Sequence, residues 1–163
     1  MGRIDKARVL GALRAQIDGA LATLIDSQKR SQAGATHAET RAEDPKDTQA
    51  IEASYLARGL ARRVSELQEE SARLASLQLV AFGEDDPIAL GALVCLQDRQ
   101  GEPYHVFLSP AGAGEKIEVD GVTVRPLTPA SPLGRALIGS YPGDDLDVVL
   151  PGGTQVHHVV SVA

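Results

Sequence analysis

Cysteine occurs once in this chain, tryptophan not at all, and the other aromatics amount to three tyrosines and two phenylalanines in 163 residues. A single cysteine, Cys95, makes no internal disulfide, so a reducing cytoplasm is the expected setting. Cys95 lies in the apolar run "ALGALVCLQ" with no lysine or arginine beside it to lower its pKa, and reads as a small core hydrophobe. With so few aromatics the core must be aliphatic. No apolar run approaches the ~20 residues that span a bilayer. The opening "MGRIDKARVLGALRAQ" is charged and helical, without a signal-peptide core. A soluble cytoplasmic protein without membrane contact is expected. Positive charge is not in excess either: 22 acidic against 16 basic residues give −6. That balance excludes binding to bare nucleic acid driven by counterion release, and no sequence-specific DNA binding is expected. Nor is there a Ser–His–Asp or Cys–His pattern for self-contained hydrolysis, and "GAGEK" (112–116) lacks the length and the Ser/Thr of a phosphate loop.

Proline is missing from 1–44 and from 46–86, and these stretches carry a helical pattern. Leu10, Leu13, Ile17, Ala20 and Leu24 follow a 3-4-3-4 spacing, which forms one stripe. Residues 27–50 contain no large aliphatic side chain. Apolar spacing resumes at Ile51, Leu56, Leu60, Val64, Leu67, Leu74 and Leu77. Two long helices with one stripe each bury them most economically as an antiparallel hairpin over residues 1–79. Its base is apolar; its tip, near 39–48, is polar and acidic.

Eight of the nine prolines and most glycines lie from Pro87 onward. There, short strands and turns are predicted: strands in 88–98, 103–108 and 122–127, a turn at 100–102, and two final strands joined at Gly152-Gly153. "SPLGRALIG" (131–139), with Ser at the cap and Pro at the first position, predicts one short helix. Residues 80–163 are therefore expected to form a mostly antiparallel α+β domain, so the chain as a whole is α+β.

The tip stretch "AEDPKD" (42–47) holds three carboxylates, Glu43, Asp44 and Asp47. Two readings stand side by side. In one, Asp44 caps the second helix, Pro45 is its first residue, and Asp47 favours the positive end of the helix dipole. In the other, a carboxylate pair faces outward to hold a metal. The tip carries −3 from Glu39, Glu43, Asp44, Asp47 and Glu52 against Arg41 and Lys46. Such a tip approaches phosphates only with a cation between. Lys29, Arg30, Arg58, Arg62 and Arg63 form a modest basic patch or a solvated face. His37 lies near the tip, two residues before Glu39. His157 and His158 are adjacent in a strand, point to opposite faces and cannot share a metal.

The ending "SPLGRALIGSYPGDDLDVVLPGGTQVHHVVSV" resembles the C-terminal signature of the bacterial Gre-type (GreA/GreB family) transcription elongation factors. The matching positions are Ser131, Pro132, Arg135, Ala136, Leu137, Ile138, Gly139, Gly143, Asp144, Pro151, Gly152 and Gly153. The resemblance implies an N-terminal coiled-coil hairpin followed by a C-terminal domain of FKBP-like fold. It implies an accessory factor rather than an enzyme, a monomer that docks on bacterial RNA polymerase at its secondary channel. Ser131, Pro132 and Arg135 fall at the implied docking corner. The hairpin would reach the polymerase active centre, where two tip acids help hold a second Mg²⁺, bound only in the complex, so that the polymerase cleaves the 3′ end of backtracked nascent RNA. "DPKD" matches the family's tip pair with Asp44 and Asp47; Glu43 is the alternative acid. The second acid is Asp where Glu is usual, and Thr48 follows where Asn is usual. These departures suit the alternative: a secondary-channel regulator or inhibitor that does not stimulate cleavage. A scaffold role for the hairpin, without polymerase, is a third possibility. Prolyl isomerase activity is not expected, because Phe82, Phe107, Tyr104 and Tyr141 are too few to line that fold's aromatic pocket.

Overall fold

A computed structural model describes the backbone of residues 4–41 and 48–163, and side chains over 4–34 and 48–163. Two helices come first, α1 (Lys6–Arg41) and α2 (Thr48–Ser76). Then follow β1 (Leu93–Gln97), β2 (Pro103–Leu108), β3 (Ile117–Val119), β4 (Val122–Leu127), α3 (Pro132–Leu137), β5 (Asp145–Leu150) and β6 (Gly153–Val162). The expected order, two helices and then an α+β domain with one short helix, is present. No described helix is long and apolar enough to cross a membrane.

The chain divides into two compact units, Gln16–Ser71 and a second made of Met1–Ala15 with Ala72–Ala163. This division runs through both helices, whereas the expected boundary at 79/80 follows the change of secondary structure. Within Gln16–Ser71, Ile17, Val64 and Leu67 are buried. The Ser71 hydroxyl donates to Asp18 at 2.6 Å, while one turn earlier on α1 Arg14 meets Leu74 farther along α2, so the helices run antiparallel. Farther along α2, Ile51, Tyr55 and Leu56 are exposed, where the apolar stripe of α1 has given way to polar residues.

In the other unit the helix bases join the sheet domain. Val9, Leu10, Leu13 and Leu74 are buried. Arg14 lies across the C-terminal end of α2. Its Nε and Nη2 donate to the Leu74 carbonyl at 3.1 and 2.7 Å, and Nη2 donates to the Ala75 carbonyl at 3.0 Å. The last carbonyls of a helix lack intrahelical donors and carry the negative end of its dipole, so a guanidinium meets both needs. Arg8 pairs with Asp120 at 2.6 Å, but both groups are exposed and such a pair adds little. Lys6 donates to the Val80 carbonyl and lies over the Phe82 ring.

The sheet has six strands in the order β3-β4-β2-β1-β6-β5. It is mixed: β2 and β4 are parallel, His105 beside Val124 and Phe107 beside Pro126, and the other pairs are antiparallel. Four of the five pairings are antiparallel, as expected of a mostly antiparallel domain, and the β2–β4 pairing is the exception. After β2 the chain skips one place and lays down β3 at the sheet edge. It turns at Asp120-Gly121 (φ 54° and 75°), and β4 fills the gap beside β2. Two reversals leave β4 running the same way as β2. Asp-Gly at positive φ is the chemistry of a tight hairpin turn. Residues 88–92, expected within the first strand, instead precede it: the Ala92 N–H closes a turn on the Ala89 carbonyl, with Gly91 at φ 88°.

The main core lies between one sheet face and α3. It comprises Ile88, Ala92, Val94, Leu96, Val106, Leu108, Leu137, Leu146 and Val159, with Phe82, Tyr104 and Leu133 packed against it. Alternation along the strands sends Leu93 and Phe107 to the opposite face, where they too are buried. Among the described residues no buried side-chain polar atom lacks a hydrogen-bond partner.

Replacing Arg14 by Met keeps the apolar stem and removes three hydrogen bonds to α2. The expected cost is about 1–3 kcal/mol, read as a lower midpoint in urea denaturation with an unchanged slope.

Candidate functional site

The short helix α3 forms a rigid corner. Ser131 is its cap: Oγ accepts from the Gly134 N–H at 3.1 Å and donates to the Thr128 carbonyl at 2.8 Å. Pro132 follows at the first helical position, where its missing N–H costs nothing. Gly134 has no substitute here. A Cβ on it would stand 2.1 Å from the Thr128 carbonyl oxygen, a backbone atom that cannot step aside. At the other end, Gly139 adopts φ 81° and its N–H donates to the Ile88 carbonyl at 2.8 Å. The Ile88 N–H donates back to the Ser140 carbonyl at 2.8 Å. Both ends of the corner are thus tied down by backbone bonds.

Gly134 and Leu137 face the core, while Pro132, Arg135 and Ile138 lie at three-residue spacing on the exposed side. Of the residues expected at a docking corner, Ser131 is half-buried and serves the cap; Pro132 and Arg135 are exposed. Arg135 carries no ion pair to any described residue. Tyr141 follows, exposed; its N–H donates to the Asp144 carboxylate at 2.8 Å.

The tip acids Glu43, Asp44 and Asp47 lie outside the described residues, and so do the side chains of His37, Glu39 and Arg41. Among the described residues no group of three or more His, Cys, Asp or Glu is placed to hold a metal ion. The helical cations are partly engaged. Arg62 and Arg63 both meet Glu66, at 3.1 and 3.3 Å, and their hydrogen bonds hold its carboxyl below the usual range. Arg58 stacks over the Tyr55 ring, 5.9 Å from its centroid. Lys29 and Arg30 are exposed.

The two adjacent histidines do point to opposite faces. His158 is exposed and lies 2.7 Å from Asp145. His157 is buried, its Nδ1 2.7 Å from the Tyr104 hydroxyl. Burial lowers the His157 pKa, against a smaller upward pull from Asp98. Lowering keeps the ring neutral at pH 7, and its tautomer sets which of the two groups donates in the bond to the hydroxyl. Burial also pushes Tyr104 up to about 12, with the Arg125 guanidinium 5.7 Å from its ring centroid. Alternation marked the opposed faces; the Tyr104 partner, 53 residues away in sequence, had no local signal. Cys95 is half-buried, and burial raises its pKa, in keeping with a hydrophobe rather than a nucleophile.

In class, this is a protein of two N-terminal helices followed by a C-terminal mixed-sheet domain. Its sequence is similar to Gre-type transcription elongation factors. The transcription elongation factor GreA of Rickettsia bellii (strain OSU 85-389) is 36% identical over 103 residues, 61% of this chain and 58% of that protein. GreA of Allorhizobium ampelinum is 28% identical over 100 residues, 61% of this chain and 60% of that protein. The match thus spans about 60% of the length of the curated relatives. No family model matches. Among solved structures, the GreA factor homolog 1 (Gfh1) of Thermus thermophilus overlays with a TM-score of 0.38 at 23% identity, over 93% of this chain and 95% of that one. The GreA/GreB elongation factor from Nitrosomonas europaea gives 0.35 at 22%, over 60% of this chain and 78% of that one. The curated relatives, not these overlays, carry the family likeness.

Two outcomes test the geometry. Gly134→Ala is expected to lower stability by more than about 2 kcal/mol, as an overpacked site without room to relax, whereas Ser131→Ala loses about 1 kcal/mol of capping; thermal denaturation ranks them. For His157 the folded pKa lies below the unfolded ~6.5, so the unfolded state binds more protons. Stability is then full above pH ~6.5 and falls as pH drops toward the folded pKa. Burial lowers His105 as well, adding to the same slope. His157→Gln is expected to flatten the acid limb of the melting temperature measured from pH 7.5 to 5.

Proposed function

We propose that this chain is a Gre-type accessory factor that binds bacterial RNA polymerase in the secondary channel and stimulates cleavage of backtracked nascent RNA. The observation that carries the reading is the stretch from Ser131 to Gly153. It resembles the family signature at the twelve positions named above, and its first part, up to Asp144, folds into a tied corner that presents Pro132 and Arg135 outward. The similarity to proteins named transcription elongation factor GreA supports it further. In this reading the domain docks through Ser131, Pro132 and Arg135, and the chemistry remains the polymerase's. The chain acts as a monomer in the cytoplasm and meets the RNA 3′ end only through the enzyme.

Asp44 and Asp47, with Glu43 as the alternative acid, are the tip ligands in this proposal. Carboxylate oxygens are hard donors, which suits Mg²⁺. Shared with the polymerase, that ion supplies Lewis-acid chemistry at the scissile phosphate. The side chains' part is to hold negative charge where the cation is needed and to orient its water. A second reading, a channel-binding regulator that does not stimulate cleavage, is favoured by one observation: Asp47 and Thr48 stand where the family usually has Glu and Asn, and Asp reaches about one carbon less.

The test is transcript cleavage in a stalled, backtracked elongation complex with labelled RNA and Mg²⁺. The wild-type protein is expected to speed RNA shortening. Asp44→Ala and Asp47→Ala are each expected to lose at least tenfold in rate while polymerase binding stays intact. Wild-type binding without acceleration would select the regulator reading.

A further inference from the structure

We propose that Ile138 and Tyr141 are the anchors of the docking surface at the α3 corner, and that an acidic turn beside it selects a partner surface with an apolar socket rimmed by lysine or arginine. This rests on the polymerase reading above and names residues and partner chemistry that the reading leaves open.

Exposure is the first observation. Ile138 is 43% exposed and Tyr141 42%, while Leu137 between them and the core is fully buried. With Pro132, they place three apolar side chains around the single cation Arg135. Rigidity is the second. Ile138 is the residue at which α3 ends, with Gly139 and Ser140 bound by backbone to Ile88, and the Tyr141 N–H bound to Asp144. Little backbone freedom is lost when such a corner is covered, a condition that favours anchor residues.

Charge supplies the occupant. Ile88 is reached from the turn 83–86, which is closed by the Gly83 N–H to the Asp86 carboxylate at 2.8 Å. Phe82 and Ile88, on either side of that turn, both contribute to the core that Leu137 enters. The turn therefore sits on the rim of the same core as α3. Glu84 and Asp85 are exposed there and make no ion pair among the described residues. With Asp86 and Asp144, four carboxylates stand against two cations, Arg135 and the Lys6 that lies over Phe82 at the foot of the turn, and the balance stays negative. A second copy of the chain would set acid against acid, and an anionic lipid surface would be repelled. A basic-rimmed protein surface is complementary.

The test measures binding of the full chain to purified bacterial RNA polymerase core enzyme at two salt concentrations. Ile138→Ser and Tyr141→Ser are each expected to weaken binding at least tenfold without moving the melting temperature, since neither side chain is core. Glu84→Lys with Asp85→Lys is expected to weaken it several-fold and to flatten its salt dependence. If wild type binds and these variants match it within twofold while Arg135→Ala fails, the corner docks but the anchors and the acidic selection are wrong. If wild type does not bind polymerase at all, the functional reading fails and this assignment with it.

Discussion

The guanidinium of Arg14 on the final carbonyls of α2 is the contact around which the base of the two helices is organised. A helix that ends without a C-terminal cap leaves its last carbonyls exposed or unpaired, and α2 meets this with a side chain from α1. The same turns bury Leu10, Leu13 and Leu74. The polar fork fixes the register of the helices and the leucines supply the burial. Because these residues belong to the same compact unit as the sheet, the helix bases are part of the domain and not an appendage to it. Leu13 comes within 2.7 Å of where a Cβ on Gly112 would stand. The loop after β2 is therefore glycine at the point of approach, at φ 81°.

The α3 corner follows the same logic at smaller scale. A helix of six residues has almost no stability of its own. It persists because each end is occupied: Ser131 and Pro132 at the start, Gly139 and Ile88 at the finish. The buried side, Gly134 and Leu137, meets the core. The exposed side is then left free to carry chemistry that stability does not require. Just beyond it, Ile138 and Tyr141 stay exposed in a fold otherwise economical with aromatics.

Most of the architecture was legible from periodicity. The 3-4-3-4 stripe marked the first helix, the apolar positions from Ile51 to Leu77 marked the second, and "SPLG" with Gly139 bounded α3 within about one residue. Strand β3 was legible but easily missed: Ile117, Val119, Val122 and Val124 alternate around Asp120-Gly121, a hairpin signal in only three paired positions. The parallel pairing of β2 with β4 was not legible, because strand order is decided by which neighbour completes the sheet, and alternation looks the same in either direction. At the candidate site, Ser131 as a cap was readable from the sequence, as was the opposition of His157 to His158. The Tyr104–His157 bond and the grip of Arg14 on Leu74 join residues more than fifty positions apart, and no local pattern encodes such partners.

By itself, the sequence determined what local physics decides: two helices, a change of period near Pro87, a capped short helix, and an acidic tip between the long elements. Tertiary structure decided the rest: the mixed sheet order, which apolar residues of α3 are core and which are surface, and which carbonyls Arg14 would bind. Helix and turn preferences act over three or four residues, whereas sheet order and side-chain exposure depend on neighbours that only the folded chain brings together.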